Sequence, residues 1–400
     1  MKILQVCSKV PFPPQDGGSI AMDILTHGLI NAGNQVDVLA VNTAKHFVDI
    51  NDVDVEYKNK TNYKLVFIDT AIKPIDAFLN LFSSKSYNLS RFYSIEFEQV
   101  LIKKLQTEDY DIIHLETLWV TPYVDVIRKH SKAKIVLRSQ NVEYTIWERL
   151  ADDTSNPVKK MYLKLLAKRL KNYEYQVLNK FDAIVTITEL DSQEYRKMGC
   201  KLPIYHVPFG IDLDKYKIDI SKLEKPSVFH IGAMDWRPNA DGISWFLKGV
   251  WTKVLTENSN IKLYLAGRKM PDWLLQLQMK NVVIEGEVSD SHEFINSKSI
   301  MIVPLNSGGG MRVKIIEGMA FGKTIISTSV GAEGIEYEDG VNILIANTES
   351  EFCETILKCI TDTEFSDTIG KNARMLAETK YDNQNICNRL SIFYQELINQ

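Results

Sequence analysis

Short apolar runs rich in β-branched residues alternate with longer amphipathic stretches along the whole chain. Runs of the first kind predict buried strands, and stretches of the second kind predict helices. In the first half, strands are predicted at residues 3–6, 36–41, 112–115, 135–137 and 183–187, and helices at 19–31, 94–106 and 158–178. A further strand-like run lies at 204–207. The pattern restarts with predicted strands at 228–231, 262–265, 282–284, 300–303 and 324–327.

Strand–helix alternation of this kind predicts an α/β protein, in which helices cover both faces of a parallel sheet. Two such series predict two Rossmann-like, doubly wound domains, 1–208 and 227–382, joined by a linker at 209–226 that is rich in Pro, Gly and Asp. Periodicity leaves open where the final helix, 383–400, packs, and we expect it to join the first domain. Ligands bind outside the carboxyl ends of parallel strands, so we expect the two domains to face a cleft.

Composition excludes several classes of protein. A hydrophobic content of 45% supports large cores, and a net charge of −4 is not that of a general nucleic-acid binder. The five cysteines form no C-x-x-C pair, which favours reduced thiols. The apolar run at 3–6 is too short for a signal peptide, and no stretch approaches the ~20 apolar residues of a membrane span. We therefore expect a cytoplasmic protein, at most peripherally attached to the inner face of the membrane.

The strongest local signal follows the predicted strand at 300–303. Three glycines, 308–310, precede a predicted helix at 311–321 whose first turn contains Arg312 and Lys314. Glycines let a backbone approach a ligand, and cations at a helix amino end oppose the helix dipole. Two readings are open: a bound diphosphate compensates the cations, or both side chains extend into solvent. Glu317 either pairs with Lys314 on the surface or accepts hydrogen bonds from a ribose.

This region resembles the donor site of glycosyltransferase family 4, a family of retaining enzymes with the GT-B fold. The resemblance rests on PLNSGGGMRVKIIEGMAFG at 304–322 and IISTSVGAEG at 325–334. Five further segments follow in the expected order: PQDGGS at 14–19, RSQNVE at 138–143, FDAIVTIT at 181–188, PFGID at 208–212 and IGAMDWRPN at 231–239.

The resemblance implies a retaining hexosyltransferase that uses a UDP- or GDP-sugar as co-substrate, without a metal or another cofactor. The implied acceptor is a saccharide or a lipid-linked saccharide, in cell-envelope or exopolysaccharide synthesis. The implied catalytic residues are Arg312, Lys314 and Glu317. The donor-binding candidates are Gly17, Gly18, Gly232, Arg268, Val288, Gly308, Gly309, Gly310 and Met311. The acceptor-side candidates are His114, Glu116, Arg138, Gln140, Asn141 and Glu143.

Three positions depart from the family pattern. Gly309 stands where the family has the first of two glutamates, Gln140 where many members have a histidine, and Ala233 with 238–239 where many have Arg and Lys. The departures keep two alternatives open: a catalytically silent nucleotide-sugar-binding subunit, and a nucleotide-sugar epimerase of the same fold.

Several weaker patterns do not by themselves indicate a functional site. The D-x-D pairs at 52–54, 109–111 and 212–214 lack further oxygen ligands, so we predict no metal site. A lone histidine such as His114 is more often a satisfied polar residue than a ligand contact. The basic, amphipathic helix at 158–178 is either a solvated face or a surface that lies on anionic lipid.

Overall fold

A computed structural model describes residues 1–83 and 85–400, without the side chain of Ala77. The chain divides into two compact units, the first formed by Met1–Gly210 with Asn383–Gln400 and the second by Ile211–Asp382. Most of the segment predicted as a linker, 209–226, lies within the second unit.

The first unit is built on a seven-stranded parallel sheet with the strand order β3-β2-β1-β4-β5-β6-β7. Alternate residues of β1 face opposite cores: Ile3 and Cys7 pack in one cluster, and Leu4 and Val6 in the other. The strands are β1 (Lys2–Cys7), β2 (Gln35–Asn42), β3 (Lys64–Phe67), β4 (Ile112–Glu116), β5 (Lys134–Ser139), β6 (Ala183–Thr186) and β7 (Ile204–His206).

Nine helices of the described first 210 residues cover this sheet. The first begins where the Asp16 side chain accepts the Ser19 N–H, with the Ser19 side chain turned back to the Asp16 backbone as a capping box. The helices are α1 (Gly17–Asn31), α2 (Val55–Lys60), α3 (Pro74–Asn80), α4 (Tyr87–Ser90), α5 (Ile95–Thr107), α6 (Val124–His130), α7 (Glu143–Asp152), α8 (Pro157–Val177) and α9 (Glu189–Lys197).

The second unit repeats the plan with a six-stranded parallel sheet of order β10-β9-β8-β11-β12-β13. Its strands are β8 (Val228–Ile231), β9 (Leu263–Ala266), β10 (Val282–Gly286), β11 (Ile300–Val303), β12 (Thr324–Ser327) and β13 (Leu344–Ile345). Its helices are α10 (Arg237–Phe246), α11 (Thr252–Glu257), α12 (Asp272–Leu275), α13 (Ser291–Asn296), α14 (Val313–Ala320), α15 (Glu349–Thr361) and α16 (Thr363–Leu376).

The last helix, α17 (Asn383–Ile398), belongs to the first unit and packs against α1. Ile386, Cys387, Leu390 and Tyr394 enter the same core as β1. Gly28 of α1 allows this close packing, because a Cβ there would lie 2.3 Å from the Cys387 Sγ.

The predicted α/β class with two doubly wound domains is confirmed, and each strand predicted from the sequence is present. The sequence missed β3 and β13. The first is a short edge strand whose side chains are only partly buried, and the second contains two residues. Within the described residues, no helix has the length and hydropathy required to traverse a bilayer.

The α1–α17 contact gives a stability prediction. We expect Gly28→Ala to destabilise the protein by about 1–2 kcal/mol, because overpacking outweighs the gain in helix propensity. Gly17→Ala is the matched control, since its added Cβ meets no atom within 4 Å among the described residues. Urea unfolding of the full chain measures both, and a Gly28→Ala variant as stable as Gly17→Ala would contradict the packing argument.

Candidate functional site

Glycines and cations of the second unit meet at one edge of its sheet. Gly232 directly follows β8, and the glycines at 308–310 follow β11, the neighbouring strand. Because the carboxyl ends of parallel strands lie at the same edge, these segments and the amino end of α14 come together. This edge is where ligands bind in open parallel sheets.

Arg312 is the N-cap of α14, which begins at Val313 rather than at the predicted residue 311. Its buried guanidinium donates from Nη1 to the carbonyl oxygens of Gly309 and Gly310 and lies 4.9 Å from the centre of the Trp236 ring. Nε and Nη2 are buried and make no hydrogen bond within the described residues. Arg312 therefore holds the glycine loop and keeps two nitrogens, Nε and Nη2, free to donate hydrogen bonds.

Lys314 turns inward to the end of β8. Its Nζ donates to Oδ1 of Asn239 at 2.8 Å and lies 3.4 Å from Nε2 of His230. A Cβ at Gly232 would come within 2.6 Å of this Nζ, so only glycine leaves room there. Desolvation, together with the charge of Arg312, lowers the pKa of Lys314 to about 7.

Glu333 and Glu317 favour the charged forms of Arg312 and Lys314, but burial outweighs both carboxylates and lowers the pKa of each cation. Arg312 is buried and Lys314 is half-buried, so the alternative in which both extend into solvent is wrong. Burial and the adjacent Lys314 also lower the pKa of His230 well below its ordinary value, which keeps this ring neutral. Burial and the helix dipole both disfavour positive charge here, and an anion at the amino end of α14 would relieve both effects.

Glu317 lies one turn further along α14. Its carboxylate accepts a hydrogen bond from the Tyr216 hydroxyl at 3.1 Å, and burial raises its pKa. Lys314 bonds Asn239 instead, so the two members of the surface pair that the spacing allowed turn to different neighbours. Tyr216 in turn packs on the His292 ring at a centroid distance of 4.6 Å.

The other donor-side candidates follow strands at this edge and differ in solvent exposure. Gly308 has a φ of +107°, and a Cβ there would lie 2.8 Å from a ring carbon of Trp236, so the turn requires glycine. Met311 is half-buried beside it. Arg268 is exposed after β9, with its carbonyl accepting the Met234 N–H at 3.0 Å. Val288 is half-buried after β10.

A second cluster lies at the corresponding edge of the first unit. Gly17 and Gly18 open α1, and a Cβ at Gly18 would lie 2.9 Å from Nζ of Lys9 and 3.2 Å from Oε1 of Gln140. Lys9 also donates to Oδ2 of Asp16 at 2.9 Å. Lys9 is not among the predicted site residues, although its position two residues after the end of β1 was an available signal.

His114, Glu116 and Arg138 form a buried polar network beneath that edge. Nη1 of Arg138 donates to Oε2 of Glu116 at 3.1 Å, and Nδ1 of His114 lies 2.6 Å from the Tyr394 hydroxyl. Burial opposes ionisation, but Arg138 and His114 hold the pKa of Glu116 at about 2. Because His114 and Glu116 have no exposed surface, in this structure they support the edge rather than line it.

The remaining acceptor-side candidates differ in burial. Gln140 and Asn141 are half-buried, and the Asn141 carbonyl accepts the Ser139 hydroxyl at 2.6 Å. Glu143 is almost completely buried at the start of α7, where Glu174 accepts its backbone N–H at 3.0 Å. Burial and the Glu174 carboxylate raise the pKa of Glu143 to about 8.

The described residues contain no group of three His, Cys, Asp or Glu side chains placed to hold a metal ion.

Two family models match the chain. The model for Glycosyltransferase Family 4 matches residues 16–215, which is half of the chain, and the model for Glycosyl transferases group 1 matches residues 225–362.

Individual relatives and solved structures agree with these matches. An uncharacterized 44.6 kDa protein in the cps region of Klebsiella pneumoniae is 23% identical, covering 96% of this chain and 97% of that one. The capsular polysaccharide biosynthesis glycosyltransferase CapM of Staphylococcus aureus is 26% identical over 48% of this chain and 54% of its own.

Sucrose-phosphate synthase from Thermosynechococcus elongatus has a TM-score of 0.70 at 16% identity, with full coverage of both chains. Anabaena HepE in complex with UDP has a TM-score of 0.69 at 14% identity, covering 99% of this chain and all of that one. These structures show the fold that the chain shares. The chain belongs to Glycosyltransferase Family 4 and is a glycosyltransferase with the GT-B fold.

Proposed function

We propose that this protein transfers a hexose, with retention of anomeric configuration, from a UDP- or GDP-sugar to a saccharide or lipid-linked saccharide. The pathway we propose is the assembly of a cell-surface polysaccharide. The observation that carries the proposal is the inward-turned pair Arg312 and Lys314 at the amino end of α14.

The chemistry of transfer explains why these cations are needed. Departure of a nucleoside diphosphate leaves negative charge on the leaving phosphate oxygens. The N–H groups of Arg312, the Lys314 ammonium and the dipole of α14 are positioned to stabilise that charge before the reaction begins. Their charge is also the basis for proposing that transfer needs no metal. In this proposal Glu317 accepts hydrogen bonds from the ribose and so fixes the donor.

Retention is the outcome that the family resemblance implies. The leaving phosphate accepts the proton of the acceptor hydroxyl on the face from which it departs, so the sugar is replaced with its configuration kept. No protein side chain then needs to act as a dedicated base. The family resemblance supports this step.

The relatives support the donor and the pathway. HepE is solved with UDP, with UDP-glucose, and with UDP and glucose, and CapM is named for capsular polysaccharide biosynthesis. We propose a nucleotide sugar for this chain by analogy. We place the acceptor on the first unit, at the edge formed by Gly18, Lys9 and Gln140.

The lowered pKa of Lys314 predicts that donor binding takes up a proton. The pKa is about 7 without ligand and rises when a diphosphate binds. Affinity for UDP should therefore be highest below pH 7 and should fall above it, by up to about tenfold per pH unit, until the pKa of the bound state is reached. Calorimetric titration from pH 7 to 9.5, in buffers of different protonation enthalpy, measures both the slope and the proton.

Lys314→Met should bind UDP weakly and without this slope. Lys269→Met is the matched control, because Lys269 is an exposed lysine of the same unit that pairs with Asp235. A wild-type affinity that does not change across this range would contradict the role of Lys314.

Arg312→Ala should lower kcat/KM about a hundredfold, a loss near 3 kcal/mol of transition-state stabilisation. The exposed Arg237, at the start of α10, gives the control variant Arg237→Ala, which should keep its activity. UDP release from UDP-glucose with a cell-envelope lipid extract gives the rate, and thermal unfolding gives the stability. Unchanged turnover with a lower Tm would assign Arg312 a structural role only.

Incubation with donor alone, and with donor plus lipid extract, separates the proposal from its alternatives. We expect slow hydrolysis without acceptor and transfer with it, both unaffected by EDTA. Binding without turnover would identify the silent subunit that Gly309 and Gln140 suggest, and formation of an epimer would identify the epimerase. Loss of transfer in EDTA would contradict metal independence.

A further inference from the structure

The segment around α3 of the first unit exposes an apolar stripe. Ile75, Phe78, Leu79 and Phe82 are spaced at i, i+3, i+4 and i+7, the spacing of one helix face. An amphipathic helix normally turns this face to the core, but here Ile75 is 74% and Phe82 81% exposed. The rings of Phe78 and Phe82 contact each other, with centroids 5.7 Å apart.

Polar contacts fix the backbone of this segment. Nη1 of Arg169 donates to the carbonyl oxygen of Asn80 at 2.8 Å, and Nη2 donates to that of Leu81 at 2.9 Å. The Tyr87 hydroxyl donates to the carbonyl of Lys73 at 3.2 Å. The segment is therefore held in place without burying its apolar side chains, which leaves them available to a partner.

The anchoring residue Arg169 belongs to α8, the basic helix. This helix carries six basic residues and one acidic residue, Glu174, which is buried. Its apolar face, with Leu163, Leu166 and Leu170, packs in the unit, so α8 does not offer an apolar face to lipid as the sequence suggested. Its exposed lysines include Lys164 and Lys168, and the exposed Met161 lies on the same helix.

Acidic side chains offset only part of this charge. Lys164 pairs with Asp152 at 3.3 Å, and Lys171 pairs with Glu148 at 3.5 Å. On a chain with a net charge of −4, the basic helix and the apolar stripe, which Arg169 joins, bring positive charge and exposed apolar side chains into one region of the unit. Protruding aromatic and aliphatic side chains next to lysines match a bilayer surface that contains anionic headgroups.

We propose that this face, the stripe Ile75, Phe78, Leu79 and Phe82 with the exposed lysines of α8, docks on an anionic lipid bilayer. The stripe enters the acyl boundary, and the lysines contact the headgroups. Docking on lipid does not depend on the donor chemistry proposed above. UDP binding is measured separately, so the failure of one proposal can be told apart from the failure of the other.

Vesicle sedimentation tests the proposal. The wild-type protein should bind vesicles of equal phosphatidylglycerol and phosphatidylcholine at least tenfold more tightly than vesicles of phosphatidylcholine. Phe78→Ser with Phe82→Ser should lose at least tenfold of that affinity, and Lys164→Glu with Lys168→Glu at least fivefold for each lysine removed. Ile220→Ser, at a 74% exposed site of the second unit, is the matched control.

A site-specific probe reports insertion directly. Cys200 is the half-buried cysteine and the other four are buried, so a Cys200→Ser background permits labelling at Phe82→Cys. A nitrobenzoxadiazole label there should shift to the blue on the anionic vesicles, and the same label at Ile220→Cys should not.

Three outcomes would overturn the proposal: wild-type protein that does not prefer anionic vesicles, a Phe78/Phe82 variant that binds as the wild type does, or no spectral shift at residue 82. Light scattering of the wild type and the Phe78/Phe82 variant can give a fourth outcome that would overturn the proposal. Self-association that is lost with the two phenylalanines, without vesicle binding, would show that a second copy covers the stripe. Equal urea unfolding of all variants shows that they are folded.

Discussion

The arrangement of the second unit depends on two positive charges held where the protein itself disfavours them. The amino end of α14 repels cations through its dipole, and burial removes the water that would stabilise them. Arg312 offsets part of this cost by bonding the glycine loop, and Lys314 does so by bonding Asn239. The surrounding glycines are explained by the same constraint, because side chains at Gly232 or Gly308 would occupy the space of these groups.

The first unit compensates its buried charge differently. Glu116 is buried as an ion, but Arg138 and His114 compensate it inside the sheet. The charges are compensated, but Nε2 of His114 and Nε of Arg138 make no hydrogen bond within the described residues. The half-buried Gln140 and the amino end of α1 lie beside it, so the network forms a firm base for groups nearer the surface. The buried charges of the second unit are thus mainly cations at its sheet edge, whereas Glu116 in the first unit is paired with Arg138.

The sequence predicted the strands because a parallel sheet covered on both faces requires continuous apolar runs. It missed β3, whose residues are only partly buried at an edge. Arg312 and Lys314 were found because the glycine loop marks them in the sequence. Asn239 was recognised only as a departure from the family, since its contact with Lys314 spans 75 residues. His114 lies within an apolar parallel strand, where a polar residue indicates an internal partner, and its ring contacts Tyr394 and Glu116.

The packing of α17 on α1 also has a consequence for how the protein forms. The first unit is discontinuous in the chain, and its core includes Cys387, Leu390 and Tyr394. A ribosome releases these residues only after it has synthesised the whole second unit. Until then, the α1 surface around Gly28 lacks its partner and exposes apolar side chains to water. The second unit, although later in sequence, is thus the first whose core is complete during translation.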